Sequence, residues 1–181
     1  MIKSKKLILS LFVAVVGSGF FFGIAGAQSQ TITVDHIARI RSNCLTAKNT
    51  IAQLDASDAL LRVNRGQLYE SLASRLMINF NSRVENNGYN AKSLIAVTEF
   101  YSQVLEGFRD SYQGYSEQLS ATLKIDCIKE PVKFYNSALE ARDKRKQVNA
   151  YIVRLAQNIS EYRSAFDAFV INFNNKSGRD N

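Results

Sequence analysis

Residues 131–174 read PVKFYNSALEARDKRKQVNAYIVRLAQNISEYRSAFDAFVINFN. Within them Phe134, Ala138, Ala141, Val148, Ile152, Leu155, Ile159, Tyr162, Phe166, Phe169 and Phe173 recur in alternating steps of four and three, with Arg145 in the one charged slot. Such steps return side chains to one stripe of an α-helix and have no counterpart in a strand, whose period is two. Pro131, the chain's only proline, suits a first helical position, where its missing N–H removes no bond, and it pushes Glu130 out of the helical region. A helix over 131–174 is therefore predicted, followed by a polar, disordered tail at 175–181.

Working outward from that segment, two more show the same spacing. From 33 to 85 the apolar positions are Ile37, Ile40, Cys44, Ala47, Ile51, Leu54, Leu61, Leu68, Leu72, Leu76, Phe80 and Val84. From 91 to 124 they are Leu94, Val97, Tyr101, Val104, Phe108, Tyr112, Tyr115 and Leu119. Asn86-Asn87-Gly88 between them tolerates the left-handed backbone of a helix stop, and Asn90 can cap the next helix. Strand-like alternation is confined to Thr31-Ile32-Thr33-Val34, too short to build a sheet. With short links at 86–90 and 125–130, the expected fold is all-α: an elongated, antiparallel, coiled-coil-like three-helix bundle over residues 28–174, with helices at about 33–85, 91–124 and 131–174. The pattern resembles that of spectrin-like three-helix rods, a likeness of architecture that implies no activity.

The N-terminus carries Lys3, Lys5 and Lys6, an apolar run from Leu7 to Ile24, and then Ala25-Gly26-Ala27. A basic start, an apolar middle and a small-x-small end are the features of a secretory signal, here residues 1–27. The competing reading is an uncleaved membrane tether through residues 7–27, long enough to span a bilayer. Both readings export the body, to an extracellular or periplasmic location. The chain's net charge of +7 contains those three lysines. Without them it is +4, too mild and too dispersed to imply a nucleic-acid partner. The densest basic run, Arg142, Lys144, Arg145 and Lys146, also contains Asp143 and follows Glu140. It suits a solvated helix face, or contact with an anionic envelope polymer.

The two cysteines, Cys44 and Cys127, lie 44 residues before and 39 after a hairpin turn at residue 88. Neither the hydrophobic period nor the turn position was chosen from them, yet they fall at nearly the same height, at the end remote from the turn. In an oxidising compartment they are expected to form a disulfide. Closing so long a loop contributes about 4 kcal/mol in the chain-entropy account.

The same register sets Gly66 opposite Gly107, where two backbones could approach closely. It also sets Asp58, which interrupts the first seam, level with Arg145, which interrupts the third. A polar core layer of Asp58, Arg145 and Arg62 is predicted there, Arg62 standing four residues after Asp58.

Catalytic signals are absent from this reading. The only histidine, His36, lies outside the bundle and can assemble neither a triad nor a two-imidazole metal site. No phosphate-cradling glycine loop is present, and no cofactor is implied. Glu99, Glu106, Asp110 and Glu117 have spacings common to any exposed helix face, so a wall hydrolase using Glu106 or Glu117 ranks third. Tyr69, Phe100 and Tyr151 fall off the seams and could offer a platform for sugar rings or a partner helix. Asn158-Ile159-Ser160 and Asn175-Lys176-Ser177 match the glycosylation acceptor pattern, although Ile159 is a core position. The expected function is that of an exported, non-catalytic scaffold or interaction module that binds envelope proteins, with a homo-oligomer open to it. Direct binding of an envelope polymer is the alternative.

Overall fold

Thr33 starts the first helix: its hydroxyl accepts a bond from the His36 amide at 3.3 Å, satisfying a first-turn donor. The computed structural model describes residues 32–176 and Gly178. It places α1 at Val34–Ser42, α2 at Cys44–Ser71, a π-helical turn at Leu72–Met77, α3 at Ile78–Asn86, α4 at Lys92–Lys124 and α5 at Pro131–Lys176. The described residues are all-helical, with no strand among them, and none of their helices is long and apolar enough to cross a membrane. The leader at 1–27 lies outside them.

Each reversal has a local cause. After α3, Gly88 takes φ +76° while its amide bonds back to the Glu85 carbonyl and the Tyr89 amide to that of Val84, the paired closure of a glycine-terminated helix. Asn90 Oδ1 then accepts from the Lys92 amide at 3.1 Å as α4 begins. At the opposite end Asp126 Oδ1 accepts from the amides of Ile128 and Lys129 at 3.0 and 3.1 Å, and Pro131 opens α5.

α4 carries the core. Leu94, Tyr101, Phe108, Tyr115 and Leu119 are buried along it, and it packs on α5 along one side and on α2, the π turn and α3 along the other. Leu155 and Tyr162 from α5, with Tyr69, Ala73 and Met77 from the first limb, complete this main cluster. A smaller cluster of Cys44, Cys127 and Phe134, with Ile40 and Ala47 against it, closes the end remote from Gly88. Cys44 and Cys127 are bridged there with their Cα atoms 5.6 Å apart.

The first limb departs from the expected single helix over 33–85. It breaks at Asn43, whose amide side chain donates to the Arg39 carbonyl at 2.9 Å and competes with the helical pattern. It also widens into the π turn at Leu72–Met77. The seam moves with it: the buried positions are Asp58, Tyr69, Ala73, Met77, Asn81 and Val84, whereas Leu61, Leu68 and Leu76 are at least half exposed. From Tyr69 the steps run four, four, four and three, slower than a heptad, and the π turn absorbs the extra residue without rotating the face away from α4.

The expected approach of Gly66 to Gly107 does not occur. A methyl group added at Gly66 would meet nothing within 4 Å, while one added at Gly107 would lie 2.7 Å from Cζ and 2.9 Å from Oη of Tyr151 on α5. The notch at Gly107 accommodates an aromatic ring from α5, the helix on which α4 packs most extensively. α5 also runs on to Lys176, two residues into the expected tail.

Candidate functional site

Between Leu54 and Tyr69 the one buried residue of α2 is Asp58, and the side chains turned toward α5 are Asp58, Leu61, Arg62 and Arg65, so no large apolar side chain is buried there. The middle of α2 therefore does not close onto α5. A groove of about 570 Å3 remains between them, floored by Phe108, Tyr112 and Tyr115 of α4. That volume lies in the range of small-ligand sites.

At its base Arg145 Nε and Nη2 donate to Asp58 Oδ2 and Oδ1 at 2.8 and 3.1 Å, and Tyr115 Oη donates to Oδ2 at 2.8 Å. This is a two-pronged guanidinium–carboxylate pair with a third, phenolic donor. Burial pushes the Asp58 carboxyl upward, but the bonds from Arg145 and Tyr115, with the Arg145 charge, outweigh it and hold the group below the ordinary carboxylate value. The Tyr115 hydroxyl is pushed well above its ordinary value, first by burial and then by the bond to Asp58.

Asp58 and Arg145 thus meet as their register predicts, but Arg62 does not join them. Its guanidinium lies over the Tyr112 ring, 5.0 Å from the centroid.

The groove lining holds five cations, Arg62, Arg65, Arg142, Arg145 and Lys146, against one carboxylate, Asp58. Arg65 and Arg142 make no ion pair among the described residues. Lys146 pairs with Asp143 at 2.8 Å in an exposed, solvent-screened contact.

The basic run expected to act as one face divides. Arg142, Arg145 and Lys146 line the groove, whereas Lys144 does not line it and pairs with Glu140 at 3.5 Å, because 100° per residue separates it from its neighbours' side of α5. Arg65, Tyr112 and Tyr115 were not anticipated as members of this site. Their signal lay in Asp58, Arg62 and Arg65, three polar residues in steps of four and three along the inward stripe of α2.

Other sequence-predicted groups fall elsewhere. Tyr69 is buried in edge-to-face contact with Phe108, and Tyr151 fills the Gly107 notch, so of the three off-seam aromatics only Phe100 is exposed. Glu106 and Glu117 face solvent, the latter accepting from Gln113 at 2.9 Å. Asn158 is 2 % exposed, so the folded chain does not offer it for glycosylation. His36 is exposed in the first turn of α1.

Converging cations over an aromatic floor concentrate positive potential in a partly desolvated cleft. Comparison with protein-family models, curated proteins and solved structures returns no match.

Proposed function

We propose that this chain is an exported, non-catalytic protein whose helices form an elongated, antiparallel three-helix bundle, with α1 to α3 as one limb, and that it binds an anionic component of the cell envelope in the groove between α2 and α5. The observation that carries this reading is the excess of cations in the groove, above all Arg65 and Arg142, which have no ion-pair partner among the described residues. Export is supported by the leader's composition and by a disulfide that fits an oxidising compartment.

Sedimentation with purified anionic envelope polymer tests the binding. The protein is expected to pellet with the polymer at low salt, and Arg65→Glu with Arg142→Glu to release it. Retention of the doubly reversed variant would remove the groove from the account.

A second reading, as an interaction module for envelope proteins, is favoured by Leu45, Leu60 and Val63, exposed apolar residues on the side of α2 away from the core. Crosslinking on intact cells checks it. Leu60→Asp with Val63→Asp is expected to abolish capture of a protein partner, and unchanged capture would count against that face.

A further inference from the structure

The cations of the groove are not clustered at one height. α2 and α5 run in the same direction, with Asp58 level with Arg145. Measured from that level, Arg142 stands three residues toward the disulfide end on α5, and Arg65 stands seven residues toward the Gly88 end on α2. Ten residues separate the two, about 15 Å along the axis at 1.5 Å per residue. Arg62 falls between them on the α2 wall. Arg145 is already engaged by Asp58, so the cations left for a ligand form a staggered line along the groove rather than a ring around one point.

Between them the lining is mixed: Leu61 and Val148 are apolar, Asn149 is polar and uncharged, Lys146 pairs with Asp143, and the Asp58 carboxylate is held by Arg145 and Tyr115. One small anion would engage the cations of one end. A chain with anionic groups at intervals, and uncharged links between them, would engage both ends and lay its links across the middle, where the one carboxylate is already held by Arg145.

We infer that the groove's ligand is a linear phosphodiester polymer, threaded along the bundle axis with at least two phosphates in contact with Arg65, Arg62 and Arg142. This deepens the anion-binding reading proposed above and rests on it. Phosphate suits these donors because guanidinium presents paired N–H groups that match two phosphate oxygens.

Titration calorimetry of the oxidised protein with a synthetic glycerol phosphate trimer tests the inference, with glycerol phosphate monomer and dodecyl phosphate as comparison probes. The trimer is expected to bind more tightly than either. With three phosphate contacts its affinity should fall about twentyfold between 50 and 200 mM salt. Arg65→Gln and Arg142→Gln should each lower the salt slope by about one and weaken the trimer about tenfold, while leaving the thermal transition in place. Arg65→Lys and Arg142→Lys, which keep the charge, should retain most of the salt slope.

Monomer or dodecyl phosphate binding as tightly as the trimer would overturn the linear class and leave anion binding standing. Trimer binding indifferent to both Gln variants would overturn the groove as its place. Failure of all three probes to bind would remove the anion-binding reading itself.

Discussion

Asp58 accepts from Tyr115 and from both prongs of Arg145, and each partner sits on a different helix, so this one carboxylate ties α2 to α4 and α5 along a stretch where α2 buries no apolar side chain. Because its pKa is lowered in the folded chain, its contribution is complete above the unfolded value, near 3.8, and is lost as pH falls through the folded value. Asp58→Asn is expected to cost about 1–3 kcal/mol at pH 7, reduced from the figure for fully buried pairs because the Arg145 side chain is half exposed. Thermal unfolding between pH 2 and 7 should show the two proteins converging in acid; parallel, separated curves would mean that ionisation of Asp58 does not carry the effect, and coincident ones that the layer contributes nothing. The glycines make a paired test at the same scale. Gly66→Ala is expected to stabilise by about 1 kcal/mol, since the new methyl meets open space and helix propensity improves. Gly107→Ala should forfeit that gain and lose about 1 kcal/mol more, because the Tyr151 ring must move. Urea denaturation distinguishes the two, and equal effects would refute the notch.

At the scale of elements, the π turn decides which residues of the first limb face the core. Upstream of it Asp58 must point at Arg145; downstream Asn81 must accept from Tyr162 at 2.8 Å and donate to Thr98 at 2.8 Å. The turn lets both networks form at once, because it takes up one extra residue and keeps the faces on either side of it aligned. Deleting exposed Ser74 should therefore return Leu72–Met77 to α geometry with both networks in place. The expected change in stability is within about 1 kcal/mol, since no buried polar group is stranded. Chemical denaturation measures it, and a loss of about 3 kcal/mol or more would show that the turn does not act as a one-residue insertion. The limb's other irregularity, at Asn43, leaves α1 without a buried residue of its own. It is held by its junction with α2 and by contacts such as Arg41 Nε to the Ile128 carbonyl at 3.1 Å. Reduction of the disulfide is expected to release that end first: hydrogen exchange in residues 34–50 should accelerate before exchange around Tyr101, and simultaneous acceleration would mark the bridge as globally required.

For the whole molecule, long-range order follows from one hairpin register. A turn at Gly88 with two near-equidistant cysteines aligns the limbs, and Pro131 starts α5 at the bridged end, so that the offset joining Asp58 to Arg145 also carries Phe80 to within one residue of Phe166. Removing the bridge with Cys44→Ser and Cys127→Ser should cost up to about 4.5 kcal/mol by the loop-entropy account, read as a lower denaturant midpoint in the oxidised state. All-helical character, both reversals, the seams of α4 and α5 and the meeting of the two sulfurs were legible in residue order, because each depends on spacing along one helix or on distance from one turn. The inward face of α2 was not. Asp58 was placed in the seam, but beyond it heptad extrapolation selected Leu61, Leu68 and Leu76, whereas the tertiary fold turned Tyr69, Ala73 and Met77 inward. A helix period fixes which residues share a stripe, but only packing against neighbours fixes which stripe is buried and how far the period is stretched to keep it there. The groove belongs to that second class. Its cations are scattered over two segments some eighty residues apart in sequence, and they become one site because α2 stays away from α5 where it buries no apolar side chain.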